Sequence, residues 1–76
     1  MLHVTAVRPV GAYRLWIHFS DGRTGEVDLE KELEGPVFAP LRDRALFAQV
    51  HLDPEVRTIA WPNGADFAPE FLRTLL

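Results

Sequence analysis

The chain is 76 residues long and has no cysteine, which excludes a disulfide framework, a thiolate zinc site and a thiol nucleophile. One domain of 8.6 kDa buries only about 60–65 % of its unfolded surface, so it is a marginal fold without space for separate cofactor and substrate domains. Its 47 % hydrophobic and 25 % charged residues exclude wholesale disorder, and its net charge of −3 argues against nucleic acid as a partner of this chain alone.

Residues 3–8 are short and β-rich, Pro9 ends the run, and Val10-Gly11-Ala12 is a connector. Tyr13 to Phe19 alternates, with Tyr13, Leu15, Ile17 and Phe19 on one face and Arg14, Trp16 and His18 on the other. That is the period of a strand with one buried face. Ser20-Asp21-Gly22 is a turn signal, and Arg23 to Leu29 is the returning strand. The apolar residues of both strands are odd-numbered, so opposed residues sum to an even number. A three-residue loop with Gly22 left-handed satisfies this, pairing Phe19 with Arg23, Ile17 with Gly25 and Leu15 with Val27.

Residues 29–34 form a short helical turn with Leu29 and Leu33 at i, i+4, and Gly35-Pro36 stops it. Val37, Phe38, Leu41, Leu46 and Phe47 then belong to one or two short helices over a sheet, with Asp43 as an N-cap. Residues 48–53 alternate again, with Val50 and Leu52 inward and Gln49 and His51 outward. Asp53-Pro54-Glu55-Val56 is a type I turn signature, and a four-residue loop opposes Val50 with Ile59. Arg57 to Trp61 returns and ends at Pro62-Asn63-Gly64. A helix starts at Ala68-Pro69-Glu70, with Pro69 at N1 and an apolar stripe of Phe71, Leu72, Leu75 and Leu76. The expected class is therefore α+β: a small antiparallel sheet of two hairpins, about five strands, with a short helical insert and a C-terminal helix, all in one domain over residues 1–76.

The N-terminus, Met1-Leu2-His3-Val4-Thr5, lacks the pattern of a secretory signal. The apolar runs fall far short of the ~20 residues that span a bilayer. The expected compartment is the cytoplasm, without membrane association. His3, His18 and His51 have no metal-ligand spacing, and solvated strand faces explain them. Ser20 lies in a hairpin turn, where no nucleophile elbow can form. No catalytic residue, metal site or cofactor follows.

Glu26, Asp28, Glu30, Glu32 and Glu34 put five carboxylates into nine residues, with Lys31 among them. They read as a solvated face or as a docking surface for a basic protein; a calcium loop needs a different spacing and a glycine. Trp16 lies opposite the main apolar face, either buried under the helical segment or exposed beside Arg14 for binding. In Trp61-Pro62-Asn63-Gly64-Ala65-Asp66, Trp61 can cap the core, Asn63-Gly64 can take positive φ, and Asp66 can bond amides at the helix entrance. The same corner can present Trp61, Asn63, Asp66 and Glu70 to a partner. Candidate binding residues are thus Trp61, Asn63, Asp66, Glu70, Asp28 and Trp16.

The run from Trp61 to Glu70, continued by Phe71-Leu72, resembles the ending of a small bacterial family, domain of unknown function 2442. Tyr13-Arg14-Leu15 with Phe19-Ser20-Asp21-Gly22, Val27-Asp28-Leu29, and Phe38-Ala39-Pro40-Leu41-Arg42-Asp43 with Phe47 resemble its earlier segments in order. The resemblance implies a small α+β domain with no assigned chemistry. Some members continue into a helix-turn-helix DNA-binding domain, which residues 1–76 do not contain. Members are encoded beside another small uncharacterised family in what looks like a toxin–antitoxin arrangement, which implies a small protein partner encoded next door. The leading expectation is a non-enzymatic, antitoxin-like protein-binding domain. It meets its partner through the acidic face, an open sheet edge or the Trp61–Glu70 corner. The alternative is a small-ligand sensor or regulatory domain with a pocket near Trp16 or Trp61. A marginal fold with sheet edges is also expected to form a homodimer.

Overall fold

A computed structural model describes residues 1–76. Its strands split into a three-stranded antiparallel meander of order β1-β2-β3 and a separate hairpin, β4-β5. The meander comprises β1 (Val4–Gly11), β2 (Arg14–Phe19) and β3 (Thr24–Asp28). The hairpin pairs β4 (His51–Asp53) with β5 (Thr58–Ala60). Between them lie a 3-10 turn (Glu30–Glu32), α1 (Gly35–Phe38), a second 3-10 turn (Ala39–Arg42) and α2 (Arg44–Phe47). The short helix α3 (Pro69–Thr74) closes the chain. The class is α+β, as the alternation and turn signals indicate.

The central hairpin has the register expected of it: Leu15 opposes Val27 and Ile17 opposes Gly25. Phe19 N–H donates to Arg23 O at 2.8 Å, and Gly22 adopts φ +89°. Only glycine takes that left-handed conformation without a Cβ penalty, so the three-residue loop needs Gly22. Asp21 reinforces the loop by accepting the Arg23 N–H at 3.0 Å.

Pro9 does not end β1; the strand runs through it to Gly11. Pro9 opposes Leu15, and Leu15 turns its own N–H and C=O toward Val27 on β3. The missing N–H of Pro9 therefore points away from β2, where an edge strand needs no donor. The register shifts between Pro9 and Gly11, a bulge that tightens the turn at Ala12-Tyr13.

The core lies on the odd-numbered face of β2 and β3. Leu15, Ile17, Phe19, Leu29, Leu33, Leu41, Ile59 and Leu72 are fully buried, with Val27, Phe47 and Trp61 nearly so. Burying each such side chain stabilises the fold by roughly 1.5–3 kcal/mol before chain entropy is charged against it. The helical segment supplies Leu33, Leu41 and Phe47 as a lid. Asp43 caps α2 as expected, accepting from Ala45 N–H at 2.9 Å and Leu46 N–H at 3.3 Å. Gly35-Pro36 both stops the first turn and starts α1, with Gly35 at φ +85°.

The second hairpin departs from expectation. Its loop has four residues, but Ile59 opposes Leu52, not Val50. The reason is the turn: Arg57 N–H donates to Asp53 O at 2.8 Å with Arg57 at φ +57°. Asp53 Oδ1 also accepts from Glu55 N–H at 2.8 Å. This closes the ladder at Asp53 and Thr58 and leaves Leu52 at the rim, 38 % exposed. Val50 is half-buried against the core. In the C-terminal stripe Leu72 is buried, Phe71 and Leu75 are half-buried, and Leu76 is exposed.

Candidate partner-binding site

Six residues were candidates for binding, and they do not converge. Trp61 is 2 % exposed, and its indole N–H donates to Phe47 O at 2.9 Å. It packs against Phe47 and Phe67, with ring centroids 5.7 and 5.9 Å away. Trp61 is a core side chain and no part of a presented surface. Asn63 is exposed, but both ends of its amide are engaged. Its Nδ2 donates to Val37 O at 3.1 Å and its Oδ1 accepts from Ala65 N–H at 3.1 Å. Gly64 at φ +88° completes this corner. Asp66 does not cap α3: the N-cap is Ala68, without a side-chain bond, and Asp66 is held through its backbone in a bridge to Ala60. That bridge keeps Asp66 in extended backbone two residues before the N-cap, too early to bond the first helical amides. Glu70 lies in the first turn of α3 and borders a separate surface cleft with His3, Val56 and Arg57.

Trp16 is half-buried on the outer face of the meander, apart from the hydrophobic core. Arg8 stacks over its ring at 5.1 Å, and His18 is 6.4 Å from it. Beside them on the same face, Arg14 reaches Glu26 at 3.9 Å. Neither Trp16 nor Trp61 lines a cleft.

Asp28 is different, because it joins two features. It ends β3, which has no strand on its far side. It also lines a cleft of about 580 Å³ together with Glu30, Lys31, Glu34 and Arg42. Asp28 Oδ1 accepts from Glu30 N–H at 2.9 Å, turning the chain out of the strand into the 3-10 turn. The Arg42 side chain is drawn to main-chain oxygens, with Nε donating to Leu33 O at 2.9 Å and Nη2 to Glu30 O at 3.4 Å. Tyr13 Oη–H donates to Arg42 O, holding the arginine backbone in place. The ion pairs of the molecule are Arg14 with Glu26 and Arg73 with Asp21. Asp28, Glu30, Glu32 and Glu34 therefore form no ion pair, and the cleft sets the carboxylates of Asp28, Glu30 and Glu34 against Lys31 and Arg42, which leaves a small negative excess.

Sequence reasoning marked the acidic run with Lys31 inside it but missed Arg42 as its neighbour in space. Nothing in the spacing of Arg42 from Glu30 foretells that a 3-10 turn folds back under the guanidinium. No helix of the chain is long and apolar enough to cross a membrane.

The family model described as "Protein of unknown function (DUF2442)" matches residues 4–75. No curated protein and no solved structure matches the chain. Coverage of nearly the whole chain by one family model places this sequence in the DUF2442 family of proteins of unknown function.

Proposed function

We propose that this is a non-enzymatic, cytoplasmic protein-binding domain, the antitoxin-like partner of a small basic protein encoded beside it. The observation that carries the reading is the continuity of an unpartnered strand edge, β3, with four carboxylates that have no ion pair. An open edge offers main-chain hydrogen bonds, and an adjacent excess of negative charge selects and steers a cationic partner. Charge confined to one region also reconciles a net −3 with a specific role, since a diffuse surplus only aids solubility. A sensor domain calls for a pocket at Trp16 or Trp61, and the clefts lie elsewhere.

Co-expression with the product of the adjacent gene tests the proposal. The two are expected to co-purify, and this chain to relieve any growth defect the other causes. Failure of both sinks the reading. The free domain is further proposed to be a homodimer, eluting in sizing chromatography at twice its 8.6 kDa mass; elution at the single mass refutes that part.

A further inference from the structure

We infer that the open edge of β3 docks an extended segment in which basic and apolar residues alternate. The inference rests on the protein-binding reading and specifies the partner's chemistry. In an antiparallel ladder the N–H and C=O of one residue point to the same side, and the side alternates along the strand. Two bonds set the parity here: Phe19 N–H to Arg23 O and Leu29 N–H to Tyr13 O, both 2.8 Å. Arg23, Gly25, Val27 and Leu29 therefore turn their amides toward β2. Thr24, Glu26 and Asp28 turn theirs outward, and their backbones bond to no loop or turn.

The same three residues project their side chains onto the outer face, since they oppose His18, Trp16 and Arg14. An antiparallel strand bonded to them places its directly opposed side chains on that outer face too. Opposite Glu26 and Asp28 the complementary residue is Lys or Arg, and the second continues toward the carboxylates of the cleft. The intervening residues of the incoming strand fall on the inner face, beside Gly25 and Val27. There Leu76 lies over the inner face of Gly25, with its Cδ2 only 2.6 Å from where a Cβ on Gly25 would stand, and it is still 37 % exposed. An apolar side chain fits that position and a charged one does not. The recognised pattern is basic–apolar–basic–apolar, in extended form.

The probe is the synthetic peptide acetyl-Lys-Val-Lys-Val-Lys-Val-amide, titrated into the isotope-labelled full chain and followed by amide NMR. The control is acetyl-Lys-Lys-Lys-Val-Val-Val-amide, identical in charge and composition. The alternating peptide is expected to slow hydrogen exchange at Thr24, Glu26 and Asp28 and to bind at least about tenfold tighter than the control. In Glu26→Pro only an outward N–H is removed, so the β2 ladder survives while affinity falls by at least about tenfold. If that variant melts early, Glu26→Lys with Asp28→Asn, which keeps the Oδ1 acceptor for Glu30 N–H, gives the same loss through charge alone. Unprotected amides at saturating peptide, equal binding of the two peptides, or full affinity in folded Glu26→Pro overturns the inference. Docking of the alternating peptide without co-purification of the adjacent gene product upholds this edge and refutes the antitoxin-like reading. Co-purification that a folded Glu26→Pro leaves unchanged does the reverse.

Discussion

Replacing Trp61 by Phe tests whether the densest segment of the sequence is structural. The indole is 2 % exposed and packs between Phe47 and Phe67. Phe lacks part of the fused ring, so apolar contact is lost and a small cavity remains, costing about 2 kcal/mol together. The bond to Phe47 O is lost as well, for about 1 kcal/mol. That oxygen still accepts from Val50 N–H at 3.3 Å, so no orphaned acceptor adds to the cost. A loss near 3 kcal/mol is a large share of the stability of a small domain, and for a chain of this size it lowers Tm by about 12–24 °C. Trp16→Phe is the internal comparison: it weakens a cation–π contact with Arg8 on an open face, worth about 0.5–1 kcal/mol. Thermal melts followed by circular dichroism measure both. Acrylamide quenching of the tryptophan left in each variant measures access to it, with Trp61 protected and Trp16 quenched. A Trp61→Phe protein that melts within about 3 °C of the parent, or a Trp61 quenched as readily as Trp16, refutes the reasoning.

Asn63→Ala removes both bonds that tie the corner to Val37 and Ala65 and should cost about 1–2 kcal/mol in urea unfolding with an unchanged m-value. Gly22→Ala should cost about 1 kcal/mol in the same assay; a Cβ there meets nothing within 4 Å, so the whole cost is the φ of +89°. The Arg23 N–H, and then the Arg73 guanidinium at 3.0 Å, hold the Asp21 carboxyl below the ordinary aspartate range. A lowered folded-state pKa gives stability that is present above the unfolded value of about 3.9 and is lost as pH falls through the folded one. The parent's Tm should therefore drop more steeply below about pH 4 than that of Asp21→Asn, and parallel acid limbs refute the assignment.

Where one face is buried and one wet, the sequence was legible to the residue. The odd-numbered apolar positions of Tyr13–Phe19 and Val27–Leu29 force an even pairing sum, and only the three-residue loop supplies it. Asp43 was legible because a cap is a local bond. Leu52 was not, because a positive φ at Arg57, a residue with no preference for it, set the second hairpin's register. Pro9 was misread because its effect depends on which side its absent N–H faces, and that side is known only once β1 is an edge. The acidic half of the candidate site is written in consecutive residues. Its other half, Arg42, is brought there by tertiary folding, so no local pattern announces it. At the corner, Trp61 and Asn63 stand out by type, but type does not separate a residue that binds a partner from one that fastens its own chain.

The parity of β3 divides one short strand between two selective pressures. Gly25 and Val27 answer to the interior, where a change is felt by the whole fold. Thr24 and Glu26 interleave with them yet face water, so their side chains can be exchanged without disturbing packing. A library randomised at those two positions should remain folded almost throughout, while an insertion of one residue in Ser20-Asp21-Gly22 should not, because it swaps the two sets. Evolution therefore has room to retune the outward face of this edge in steps of single substitutions, with the scaffold held constant.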